Sequence, residues 1–135
     1  TPEIRKDGER WGFKVVDFHT GKEAVFASME MKPAVVSKYG VEVDVFERIA
    51  IPALEWGIEN ANTIAIDEIG NMEVLSERFK QLVGQALDAK KVIATISFKS
   101  KNTFIEKVKQ RKDVKIYYLT RVNWTRILKE LKAEI

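Results

Sequence analysis

Thr63-Ile64-Ala65-Ile66-Asp67-Glu68-Ile69-Gly70 is the stretch on which the reading of this chain turns. Four mostly apolar residues run straight into two adjacent carboxylates and then a glycine. An apolar run bounded by a turn signal predicts a strand buried on both faces, as in a parallel sheet. Acidic side chains at the carboxyl end of such a strand sit at the crevice where open α/β sheets bind ligands. Two carboxylates there suit a magnesium–phosphate site, one in the ion's shell and the other orienting a water. The competing account is a strand that ends in a solvated acidic turn.

Working downstream, Ser76 is placed to cap a helix running to about Lys90, with the apolar stripe Phe79, Leu82, Val83, Ala86, Leu87. Lys91–Ser97 reads as a second buried strand. Asn102 opens a short basic helix carrying Phe104, Ile105 and Val108. Val114–Leu119 reads as a third strand, and Asn123 caps a last helix with Ile127, Leu128 and Leu131. Strand and helix alternate from Thr63 onward, which predicts a parallel sheet with helices on both faces and right-handed crossovers. Upstream, Val43 to Asn60 has near-helical apolar spacing, with Asp44 as the expected N-cap and Pro52 expected to kink or divide it. The first 28 residues read as an antiparallel meander. Pro2–Lys6 and Arg10–Phe18 flank the hairpin signal Asp7-Gly8, and Thr20-Gly21 turns the chain into Glu23–Ser28. Met29–Ser37, which contains Pro33, shows no period. The expected organisation is one domain over 1–135, with a β-meander at 1–28 and an α/β core at 41–135.

The bulk numbers agree with one soluble domain. A chain of 135 residues can bury about 68% of its unfolded surface. No apolar run approaches the roughly 20 residues needed to span a bilayer, so no membrane partner is expected. With no cysteine there is no disulfide framework and no thiolate metal site, which fits a reducing cytoplasm. Charge is uneven. Lys99 to Lys115 holds seven basic residues against Glu106 and Asp113, a net +5 that leaves −2 for the rest of a chain whose total is +3. Such a patch attracts phosphates or nucleic acid, although a solvated helix face is the commoner origin and the few interleaved aromatics do not favour nucleic acid.

With Asp67-Glu68-Ile69-Gly70-Asn71-Met72-Glu73 on a strand end, the chain resembles the small P-loop nucleoside-triphosphatases. These are called cancer-related nucleoside-triphosphatase in animals and are named elsewhere for their thermophile members. That family carries D-E-I-G-x-M-E as its Walker B strand end. The likeness extends through Thr1-x-Glu3-x-Arg5, Gly12-Phe13-Lys14, Lys38-Tyr39-Gly40-Val41, Ala50-Ile51-Pro52-x-Leu54-Glu55 and Ala94-Thr95-Ile96. It implies a three-layer αβα P-loop NTPase-like fold.

Three departures stand out. No G-x-x-x-x-G-K-[ST] phosphate loop occurs anywhere in the 135 residues. About 35–40 residues, one strand–loop–helix unit, are missing relative to the family pattern. We therefore expect an N-terminally incomplete domain that lacks its central phosphate-loop strand and is inactive alone. Ser97 stands where the family commonly has His. Thr120-Arg121-Val122-Asn123-Trp124 replaces T-P-E-N-R, keeping Asn123 but losing the Arg.

For the complete protein the resemblance implies hydrolysis of a nucleoside triphosphate, ATP, GTP or another, to the diphosphate and phosphate. Asp67 would lie in the shell of a magnesium ion and Glu68 would act as general base. Ile64, Ala65, Ile66, Ile69 and Gly70 belong to the same nucleotide-binding stretch. Ser97 or Thr95, sharing a strand face, would meet the γ-phosphate or the water, and Asn123 with Trp124 would border the base. Arg5 and Lys38 are lesser phosphate candidates. Glu73 reads as a carboxylate favoured by a helix start, His19 as a solvated loop residue, and Trp11 and Trp56 as packing. The alternatives are a nucleotide kinase-like phosphotransferase, which would require an acceptor for phosphate release, and a non-catalytic nucleic-acid-binding or interaction fragment.

Overall fold

The computed structural model describes residues 1–32 and 34–135; Pro33 lies outside them. The chain builds two sheets joined by one long helix. Strands β1 (Glu3–Lys6), β2 (Glu9–Val16), β3 (Glu23–Ser28), β4 (Ala34–Val36) and β5 (Tyr39–Val41) form an antiparallel sheet in the order β1-β2-β3-β5-β4. Asp7 and Gly8 both have positive φ, as the β1–β2 hairpin requires. The meander therefore does not close at Ser28. It continues to Val41, and part of the segment expected to be irregular is strand. Three-residue strands carry too few side chains to show a period. Gly40 of β5 also meets the segment ahead of β4 closely, since a Cβ on it would lie 1.6 Å from the Met31 carbonyl oxygen.

Helix α1 (Val43–Asn60) runs unbroken through Pro52, which is exposed, while Phe46, Ala50, Leu54 and Gly57 face inward. The expected division at Pro52 does not occur, because packing of that inner stripe outweighs one lost backbone bond. The cap position is Glu42 rather than Asp44, which sits in the first turn. Strand β6 (Thr63–Ile69) pairs in parallel with β7 (Lys91–Ile96). Between them lie one 3-10 turn, Glu73–Leu75, and helix α2 (Glu77–Ala89). Ser76 caps α2 as expected, its hydroxyl accepting from Phe79 N at 3.0 Å while donating to Glu47 Oε2 at 2.7 Å. Helices α3 (Thr103–Gln110) and α4 (Trp124–Glu134) follow. Asn102 Oδ1 caps α3 through Phe104 N and Ile105 N.

The α/β class holds, with two corrections. Val114–Leu119 forms no strand. Its apolar alternation is real, but a strand needs a ladder partner, and among the described residues β7 pairs only with β6. Its side chains reach α4 instead, through Lys115 and Tyr117 to Glu134. Strand β6 is also not buried on both faces, for Ile64 is buried whereas Ala65 and Asp67 are exposed. An apolar run can be told from an alternating one only by which faces neighbours cover, and Ala contributes little to either pattern.

One core connects the two sheets. Phe26 of β3 packs on Phe46 of α1 at 5.0 Å between ring centroids, and Phe46 packs on Phe79 of α2 at 5.3 Å. No helix among the described residues is long and apolar enough to cross a membrane.

Candidate functional site

The acidic turn departs from regular pleating at one residue. Asp67 pairs with Thr95 and Ile69 with Ile96, so two steps on β6 oppose one on β7 and Glu68 is the extra residue of a bulge. The burial pattern slips there as well. Ile64 is buried, Asp67 and Glu68 are both exposed, and Ile69 returns to the core at 1% exposure. Bulges re-aim side chains next to sites of function. Here the bulge turns two consecutive carboxylates outward at the carboxyl end of a parallel strand, which unbroken alternation forbids. The ladder ends just beyond it, where Ser97 N donates to Ile69 O at 3.1 Å.

Thr95 Oγ1 donates to Asp67 Oδ1 at 2.8 Å, so the hydroxyl offered above to a phosphate is engaged in orienting the acid. The signal was available, since Asp67 and Thr95 are each the fifth residue of parallel strands in register, but the register itself is not legible from sequence. Ser97 is half-buried beside the strand end. Across the loops that follow β6 and β7, Ser100 Oγ donates to Asn71 Oδ1 at 2.5 Å, tying the two loops together.

Glu73 stands at the first position of the 3-10 turn, a helix start as expected, but it is buried there at 3% exposure. Burial, reinforced by the negative charge of Glu68, outweighs hydrogen bonds from its own backbone and from Thr1 and raises its pKa to about 7.

Other candidates fall elsewhere. Asn123 stands at the N-cap position of α4, but its side chain makes no cap bond. Its Oδ1 accepts from Thr120 N at 2.8 Å and its Nδ2 donates to Tyr118 O at 2.9 Å, closing its own loop. Trp124 is half-exposed. The Arg5 guanidinium is held by Glu3 and by the Gly8 carbonyl within the first hairpin. Lys38 is exposed in the β4–β5 turn. Trp11 lies under the Lys6 ammonium, 3.8 Å from its ring centroid. His19 is exposed as expected, yet it stacks on Trp56 with ring centroids 3.7 Å apart, and Trp56 is 43% exposed rather than packed inside. These two rings line a cleft of about 200 Å³ between the β2–β3 turn and α1, with Arg48 and Lys22 at its rim. None of the acids at the end of β6 lines that cleft. The basic patch is partly neutralised, because Arg111 bonds both Asp88 and Asp113, at 2.7 and 2.8 Å.

A long helix and a parallel β6–α2–β7 crossover make this an α/β protein, and the likeness to a solved structure makes its fold P-loop NTPase-like. The crystal structure of THEP1 from the hyperthermophile Aquifex aeolicus superposes with a TM-score of 0.81 at 31% identity, over 90% of this chain and 74% of that one. A family model described as "NTPase" matches residues 1–132. The chain is 40% identical over 133 residues to "Nucleoside-triphosphatase THEP1" of Thermotoga sp. (strain RQ2), covering 97% of this chain and 75% of the relative. It is 33% identical over 131 residues to the protein of the same name from Archaeoglobus fulgidus, covering 97% and 76%. The chain belongs to this NTPase family.

Proposed function

We propose that the protein carrying this chain hydrolyses a nucleoside triphosphate to the diphosphate and phosphate, and that Asp67-Glu68 is its Walker B end. Family membership and the names of the relatives support the reaction class. The observation that carries the residue assignment is the bulge at Glu68, which presents both carboxylates at one strand end.

The donor set suits magnesium. Among the described residues no group of three or more His, Cys, Asp or Glu side chains is placed to hold a metal. Magnesium is usually held by one or two carboxylates together with substrate phosphates and waters, so a single oriented carboxylate fits. Asp67 would hold the ion, which when bound neutralises charge on the β- and γ-phosphates. Thr95 keeps the Asp67 carboxylate in one orientation by donating to Oδ1. Glu68 accepts a proton from the attacking water as its oxygen bonds the γ-phosphorus and the bond to the β–γ bridging oxygen breaks. Ser97, at the end of the adjacent strand, contacts the γ-phosphate or that water. Asn123 fixes the 118–123 loop that borders the base. No residue within 1–135 is assigned to the phosphate cradle.

The test is Glu68→Gln in the full-length gene product. Turnover falls on the order of 10²–10⁴-fold, the range for loss of a general base, while nucleotide affinity is kept. Unchanged turnover would remove Glu68 from this role.

A further inference from the structure

Gly70 does not adopt a positive φ, unlike Gly8 and Gly21, so conformational freedom is not why a glycine stands there. Space is the reason. A Cβ on Gly70 would lie 2.7 Å from Glu68 Oε1, 2.9 Å from Glu73 Oε1 and 3.2 Å from Glu68 Cγ. Two carboxylates that approach from opposite ends of the turn thus converge on the one volume a side chain at position 70 would fill. Gly70 is tied to the turn that carries Glu73, for Val74 N donates to Gly70 O at 3.1 Å. Glu73 is fixed by burial, whereas Glu68 is exposed and otherwise free to swing.

We infer that Gly70 and Glu73 are positioning residues for Glu68: the missing side chain at 70 is the seat of the Glu68 carboxylate, and the buried Glu73 is the wall of that seat. A Glu at 73 is costly to the fold. Its carboxyl is removed from water beside a second acid, and its proton affinity rises accordingly. Hydrogen bonds from its own backbone and from Thr1 offset only part of that cost, since the net shift is upward, and an uncharged residue of the same shape avoids it. Confining the base matters because an angstrom of displacement in a reacting group costs on the order of 10²-fold in rate.

This inference rests on Glu68 being the base, and the experiment separates the two claims. Steady-state hydrolysis is measured for full-length Glu68→Gln, Glu73→Gln, Gly70→Ala and the double variant Glu68→Gln/Glu73→Gln, with melting curves to confirm folding. Glu73→Gln lowers kcat about tenfold and Gly70→Ala on the order of 10²-fold, both with KM unchanged. The double variant is no slower than Glu68→Gln alone, because a residue that acts through another has no effect once that residue is gone. Additive losses in the double variant, a rise in KM that accounts for the loss, or normal kcat in both Glu73→Gln and Gly70→Ala beside an impaired Glu68→Gln would each overturn the positioning role and leave the base assignment standing. Wild-type turnover in Glu68→Gln would overturn both. Should Glu73→Gln fail to fold, Gly70→Ala and its double variant with Glu68→Gln carry the same test, since alanine removes no interaction and only fills the seat.

Discussion

The antiparallel sheet of β1–β5 and the parallel pair β6–β7 handle polarity in opposite ways. In the first, Phe26, Ala27 and Val41 are buried to 1% exposure or less, and the one buried acid, Asp17, is satisfied by His19 N and the Thr20 hydroxyl. Those hydrogen bonds hold the Asp17 carboxyl below its usual range despite the opposing effect of burial. At the end of β6 the buried acid, Glu73, faces a second acid, and its pKa moves the other way. Donors outweigh burial at Asp17, whereas at Glu73 burial and the Glu68 charge outweigh the hydrogen bonds from its own backbone and from Thr1. A buried acid left with a net cost belongs where geometry is needed for chemistry.

The largest effect tests whether the two regions are one cooperative unit. Phe26→Ala empties the β3 end of the Phe26–Phe46–Phe79 stack and is expected to cost about 3–5 kcal/mol, in a single unfolding transition. Two separate transitions in a chemical melt would show that the sheets are energetically independent.

Next comes the contrast between the buried acids. The pKa of Glu73 is raised from 4.5 to about 7 in the folded state, so the folded protein holds that proton more tightly than the unfolded chain does. The stability it contributes is fully present below pH 4.5 and is lost as pH rises to 7, about 3 kcal/mol in all. The wild-type denaturation midpoint therefore falls between pH 4.5 and pH 8 more steeply than that of Glu73→Gln. Parallel curves would mean that Glu73 has no raised proton affinity.

The smallest effect concerns the joint between regions. Ser76→Ala removes the cap of α2 and leaves Glu47 of α1 without its hydroxyl donor. A loss of about 1–2 kcal/mol in thermal or denaturant unfolding is expected, with KM for nucleotide unchanged. A shift in KM would place the α1–α2 joint in the site.

Much of this was legible in the residue order. Asp7-Gly8 specified its hairpin because few residues tolerate positive φ in succession. Ser76 and Asn102 declared their helices because each hydroxyl or amide satisfies amides only two or three residues away. Thr63–Gly70 announced a strand ending in acids. These signals are local, and local chemistry survives any arrangement of the rest. The bulge at Glu68, the bond from Thr95 to Asp67, the recruitment of Ala34–Val36 into a sheet and the burial of Glu73 depend instead on the register and packing of separate elements. No spacing along the chain encodes which strand face a neighbour will cover. Only the assembled fold can place one carboxylate in water and bury another against it.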